Sequence, residues 1–237
     1  MEKELVNLWL KFNKFTGIAE ITNLGFWYCA ADKNRKYNVL ITGLNPSLQI
    51  DGKKFDNCSF EQLENRYFTK IKKPIIEAEL QEETTYLDLF CFKESTQKTV
   101  FSEFLKTETN IDFIANHLAI TQNEIERINP KVIVIKNRGS YCFWGKEVIQ
   151  KSDKLFNVWM GYKFEKIKTL ACGEVCYITG LIDSKERINQ NIKETNLIGT
   201  IVLFSTYDSW NRPQPTKDDY IELMKLAEEK KMEYLNN

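Results

Sequence analysis

Four short, nearly unbroken apolar runs constrain this chain more than any other feature: YNVLITG at 37–43, TYLDLFCF at 85–92, KVIVIK at 131–136 and IGTIVLF at 198–204. A strand with one wet face alternates apolar and polar residues, whereas a strand covered on both faces reads as a continuous apolar run. Between the second and third runs, Phe113, Ile114, Leu118, Ile125 and Ile128 recur at helical intervals, and Pro130 ends the pattern. Strand, helix, strand at this spacing is a βαβ unit, which predicts an α/β fold with a parallel sheet covered by helices.

The remaining segments fit around that sheet. In MEKELVNLWLKF the residues Leu5, Leu8, Trp9 and Phe12 predict an amphipathic helix, unlike the unbroken apolar run of a signal peptide. TKDDYIELMKLAEEKKMEYL predicts a last helix capped by Thr216, with Asp218 and Asp219 in its first turn. Residues 157–182 are rich in β-branched and aromatic side chains punctuated by Gly161 and Gly173, and predict a β-hairpin-like insertion. With no repeat, low-complexity tract or linker, a single domain over residues 1–237 is expected.

Charge and cysteine usage narrow the function classes. The 33 basic and 33 acidic side chains cancel, so no global positive field gathers nucleic acid and any such footprint is local. No run reaches membrane-spanning length, and the six cysteines lie mostly in apolar segments, as reduced thiols of a cytoplasmic protein do. Cys172 and Cys176 have no further ligands near them in sequence, so neither a metal, a metal cluster nor another cofactor is expected. The one histidine, His117, is expected as a partly buried imidazole on a helix surface, away from any pocket. Cys91 and Cys142 then lack a base, which counts against a small-molecule hydrolase with a thiol nucleophile.

The first run leads straight into GLNPS. In open parallel sheets ligands collect outside the carboxyl ends of the strands. There Gly43 permits close approach of the backbone, Pro46 fixes the loop, and Asn45 offers an uncharged acceptor and two donors. GLNPS resembles the first motif of the uracil-DNA glycosylase superfamily, particularly its mismatch-specific uracil and thymine branch. FEQLENRYF at 60–68 resembles that family's block of a phenylalanine, four residues, Asn-Arg and two aromatics. TYLDLFCFKEST resembles its pocket-lining second strand, and NEIERINPKVIVIKNRGSYCFWG the helix, proline and third strand that follow. The resemblance covers about residues 37–150, with 198–230 a looser match.

That resemblance implies a three-layer α/β/α sandwich around a short, mostly parallel sheet. It also implies hydrolysis of the bond between a damaged base and its deoxyribose, without a cofactor, by a monomer acting on DNA. Asn45 would position the attacking water, with Gly43, Leu44, Pro46 and Ser47 framing the base pocket. Phe60 would stack on the flipped base and Asp88 would read its edge. Such cleavage builds negative charge on the departing base, which oriented dipoles stabilise, and the base reaches a pocket only after leaving the stack. The family's second motif, His-Pro-Ser or Asn-Pro-Ser, is replaced here by Ser205-Thr206-Tyr207-Asp208-Ser209-Trp210-Asn211-Arg212. Donors to the leaving base would then come from Ser205, Thr206 or Asn211. Trp210 would act as a wedge in the duplex beside Asn211, and Arg212 and Arg138 would hold phosphate, with Lys70, Lys72, Lys73, Lys136 and Lys146 as further cations. The competing expectation is a catalytically silent nucleic-acid- or nucleotide-binding module that kept the pocket.

Overall fold

The computed structural model describes residues 1–46, 55–94, 101–102, 104–206 and 212–235. Its strands are β1 (Phe26–Cys29), β2 (Val39–Gly43), β3 (Phe55–Cys58), β4 (Thr84–Asp88), β5 (Val132–Ile135), β6 (Ile149–Lys151), β7 (Lys154–Phe156), β8 (Tyr162–Leu170), β9 (Gly173–Leu181) and β10 (Ile201–Ser205). Its helices are α1 (Glu2–Phe12), α2 (Thr16–Ile21), α3 (Arg66–Glu77), α4 (Glu108–Ile128), α5 (Tyr141–Trp144) and α6 (Lys217–Leu235).

The four apolar runs pair as one sheet in the order β4-β2-β5-β10, all parallel. The hairpin expected at 157–182 is β8–β9; it joins this sheet, β9 pairing antiparallel with β10, so the six-stranded order ends β10-β9-β8. The fold is therefore α/β with a mostly parallel central sheet and an antiparallel edge. β1 and β3 form a separate parallel pair, and β6 and β7 a small antiparallel one.

Every residue of β2, β4, β5 and β10 is buried, which is why these segments show no polar alternation. One face carries Leu40, Leu87, Ile133, Val202 and Phe204, packed with Leu5 and Leu8 of α1 and Leu118 and Ile125 of α4. The other carries Val39, Ile41, Tyr86, Val134 and Leu203, packed with Ile71 and Ile75 of α3 and Tyr220 and Leu223 of α6. Each such aliphatic side chain contributes about 1.5–3 kcal/mol relative to an exposed one. Among the described residues no helix is long and apolar enough to cross a membrane.

Local chemistry sets the helix ends. Asn65 Oδ1 accepts from the Tyr67 and Phe68 amides at 3.0 and 3.1 Å, so the Asn-Arg pair in FEQLENRYF opens α3. Thr216 Oγ1 accepts from the Asp219 amide while Asp219 Oδ2 accepts from the Thr216 amide at 2.8 Å, a reciprocal box that starts α6. Asn129, with φ of 47°, ends α4 one residue before Pro130.

Two expectations change. The run at 85–92 leaves the ladder after Asp88; its continuation lies along the loop after β2, Leu89 and Phe90 amides donating to the Gly43 and Leu44 carbonyls. His117 is not a partly buried surface imidazole but fully buried, ringed by Phe26, Phe90, Phe92 and Phe113, and its Nε2 accepts from the Cys91 amide at 2.9 Å. A histidine thus does stand beside Cys91, but it serves the main chain, and burial pushes the Cys91 thiol well above its usual range.

Candidate active site

Gly43 ends β2 directly opposite Asp88, which ends β4. On the other side Thr42 pairs with Ile135, and the Lys136 amide, one residue on, donates to the Thr42 carbonyl at 2.9 Å. Ile135 also pairs with Phe204, so Ser205 stands one residue beyond that pair as Lys136 does. Because side chains alternate across a strand, Asp88, Gly43, Lys136 and Ser205 form the last row of the parallel sheet on the face covered by α3 and α6. An acid, a gap, a cation and a hydroxyl thus stand side by side, with Asp88 2 %, Lys136 5 % and Ser205 0 % exposed.

The gap is obligatory. A Cβ at Gly43 would overlap Asp88 Oδ1 and the Tyr86 hydroxyl. Those two atoms are bonded to each other, the Tyr86 hydroxyl donating to Asp88 Oδ1 at 2.7 Å. Burial raises the Asp88 carboxyl to about 7, the Tyr86 hydrogen bond offsetting only part of the rise. Near neutral pH the group therefore exchanges between a proton donor and an acceptor.

Asn45 lies just past β2, half-buried. Its Nδ2 donates to the Pro46 carbonyl at 3.2 Å and to the Glu94 carbonyl at 3.1 Å. Two carbonyl neighbours fix which end of the amide is nitrogen. Oδ1 is left buried without a partner among the described residues. Leu44 and Pro46 are buried beside it, and Ser47 lies outside the described residues.

Phe60 sits in a short 3₁₀ turn, buried, with the Tyr86 ring stacked nearly parallel at 6.3 Å between centroids and Phe68 edge-on at 6.4 Å. Lys72 Nζ lies 5.3 Å from the ring centre. Phe60 is thus tied to Asp88 and Gly43 through Tyr86, so the structure brings these expected pocket residues into one neighbourhood, with the Phe60 ring already in contact. Tyr86 was missed from the sequence, although it lies two residues before Asp88 and a period of two places it on the same face.

At the far end of the row, Ser205 Oγ is buried without a partner among the described residues, and its carbonyl accepts from the Tyr141 hydroxyl at 2.6 Å. Arg138 and Arg212, both exposed, lie within electrostatic reach of that same tyrosine, as do Glu147 and Glu174, and Thr206 is half-buried. Trp210 and Asn211 lie outside the described residues. The other cations divide. Lys72 is held by the Glu61 and Leu63 carbonyls at 3.0 and 2.6 Å, and Lys146 by Glu174, whereas Lys70, Lys73 and Lys136 line a common cavity.

Two buried groups give opposite pH dependences. The folded state binds a proton at Asp88 that the unfolded chain has released between about pH 4 and 7, so Asp88 favours folding below this window and its contribution is lost as pH rises through it. Burial lowers His117 to about 3, so its contribution is present above the unfolded value of 6.5 and is lost as pH falls toward 3. Each shift of about 3 units corresponds to about 4 kcal/mol, so the two largely cancel in the wild type between about pH 4 and 6.5. Asp88→Asn is expected to unmask a loss of stability toward acid over that range, and His117→Gln a loss toward neutral. Urea unfolding from pH 4 to 7 reads both slopes; parallel curves for the two variants would refute the assignment.

No protein-family model matches the chain, and no curated protein matches it in sequence.

Proposed function

We propose that the protein is a base-excising N-glycosyl hydrolase of the uracil-DNA glycosylase kind, acting on a deaminated or mispaired DNA base turned out of the stack. The sheet with α1 and α4 on one face and α3 and α6 on the other is then the three-layer sandwich of that superfamily. The observation that carries the proposal is Asn45: both amide hydrogens face main-chain carbonyls, so Oδ1 is presented as an acceptor at the carboxyl end of the parallel sheet. An amide oxygen is too weak a base to deprotonate water, but it orients one. The water oxygen bonds to C1′ while the C1′–N bond breaks with its electron pair on the base, and the released proton leaves with base or solvent. Asp88, two strand ends away from Lys136 in the row, offers a carboxyl that donates or accepts at the base edge. Ser205 Oγ offers a hydroxyl donor toward the departing anion.

The engagement of Phe60 by Tyr86 and Lys72 favours a second function, a binding module without excision, because a base could stack there only after those side chains move. Labelled oligonucleotides carrying uracil, hypoxanthine, xanthine or thymine opposite guanine, treated with protein and then alkali, separate the two. Scission that disappears in Asn45→Ala supports excision; salt-sensitive binding without scission of any substrate supports the binding module.

A further inference from the structure

Asp88 Oδ1 accepts from the Tyr86 hydroxyl, and no other hydrogen bond reaches the carboxyl from the described residues. The Tyr86 hydroxyl gives its single proton to this bond. It is also hydrogen-bonded to the Tyr67 side chain of α3, so the Tyr67 hydroxyl is the donor there. Burial, with the adjoining carboxyl, holds Tyr86 well above the usual phenol range, so it keeps its proton at neutral pH. The direction of these bonds decides where an acid proton sits. With Oδ1 engaged as an acceptor, the proton of the neutral carboxyl resides on Oδ2, which has no partner among the described residues. Gly43 pairs with Asp88 and Asn45 follows two residues later, so a base seated on the bare Gly43 backbone within reach of Asn45 presents an edge to Asp88. The titratable groups around the pair are Cys29 of β1, Cys91 beyond β4, Tyr67 of α3, Tyr220 of α6 and, across Gly43 in the same row, Lys136. Burial raises Cys29, Cys91 and Tyr220, so these three stay neutral, and Tyr86 is the hydrogen-bond donor that opposes the effect of burial on Asp88.

We propose that Asp88 is the general acid of base excision, giving its Oδ2 proton to the departing base, and that Tyr86, backed by Tyr67, is the positioning residue that keeps the proton on that oxygen. This role rests on the excision proposed above. As the C1′–N bond breaks, its electron pair goes to the base while the Oδ2–H bond breaks and an O–H or N–H bond forms on the base. The base therefore leaves neutral rather than as an anion. The attacking water bonds to C1′ and loses one proton to solvent, and solvent returns one to Asp88, so atoms and charge balance. Tyr67 lines a cavity of about 290 Å³ between α3 and the start of α6, where Lys73 is 76 % exposed, so the chain of hydroxyls runs from Asp88 to a wet surface. A protonated carboxyl at the base edge fits an oxo oxygen, as in uracil, hypoxanthine and xanthine, and not the amine that cytosine and adenine carry there.

The test follows single-turnover scission by the full chain of oligonucleotides carrying uracil, 5-fluorouracil or hypoxanthine opposite guanine, from pH 5 to 9. The wild-type rate is expected to be level at acid pH and to fall above about 7, by about 10-fold per pH unit, as the carboxyl loses its proton. Asp88→Asn is expected to abolish that fall and to slow uracil and hypoxanthine release at pH 6 by about 10²–10³-fold. Its loss on 5-fluorouracil, a more acidic leaving base, is expected to be smaller by at least about 10-fold. Tyr86→Phe removes a bond that stabilises the carboxylate, so the fall should move to higher pH by about 1 unit, and Tyr67→Phe should move it the same way by less. A purely structural defect would lower the rate at every pH and leave the fall in place. Difference infrared spectra of the wild type against Asp88→Asn read the carboxyl without substrate, and the band of a neutral acid is expected below about pH 7. Scission whose alkaline fall persists in Asp88→Asn, an equal loss on uracil and 5-fluorouracil, or an infrared band that titrates in the usual carboxylate range overturns the general acid and leaves excision standing. No scission of any lesion at any pH overturns excision and the general acid together; the infrared band then assigns Asp88 as a neutral donor of the binding module.

Discussion

Asn45→Ala is expected to slow base release by about 10²–10³-fold, the range seen when a single oriented polar group is removed from a reacting centre. The loss should fall on the single-turnover rate and leave affinity for the lesion-bearing oligonucleotide within about 2-fold, because in the proposed reaction the oxygen orients the attacking water and makes no contact with the strand. A structural cost accompanies it. Nδ2 donates to the Pro46 carbonyl within the loop after β2 and to the Glu94 carbonyl beyond β4, and removal of these bonds costs about 0.5–1.5 kcal/mol each. Asn45→Asp separates the two effects. It keeps the shape and an acceptor but places a carboxylate against the Pro46 and Glu94 carbonyls, so it should destabilise the loop more than alanine does. A wild-type rate in Asn45→Ala, with excision present, would remove the asparagine from the chemistry.

Gly43→Ala is expected to lower stability by about 2–4 kcal/mol, adding the cost of overpacking to that of a disturbed buried hydrogen bond. The added methyl meets Asp88 Oδ1 and the Tyr86 hydroxyl. Side-chain ends usually yield to such a contact, but these are buried and bonded to each other, and the Tyr86 ring is packed against Phe60 and Phe68, so moving either disturbs the pair. A chain of this size should lose about 5–15 °C from its thermal midpoint. Urea unfolding with an unchanged slope and a shifted midpoint reads the effect as stability alone. A loss below about 1 kcal/mol would mean that the Tyr86–Asp88 pair has an alternative arrangement.

Much of this was readable from local pattern. The four apolar runs became the four parallel strands because burial on both faces leaves no position for a polar residue, and this is a property of each segment by itself. Thr216 was readable as a cap because its chemistry involves residues three apart. Asn45 and Gly43 were readable from the turn they build, whereas Asp88 came only from the resemblance, because the run at 85–92 placed it in mid-strand. His117 was misread because one polar residue on an apolar helix face does not show whether that face lies at the surface or, as here, under four phenylalanine rings.

The sequence by itself determined the four buried strands, the hairpin at their edge and the helices α1, α4 and α6, and it placed Gly43 at a strand end. Only the tertiary structure decided that β4, β2, β5 and β10 lie in that order, and therefore that Asp88, Gly43, Lys136 and Ser205 share one row while Lys72 and Lys146 turn elsewhere. Strand order depends on how the crossovers fold back, through contacts between residues far apart in the chain. No local periodicity encodes those contacts.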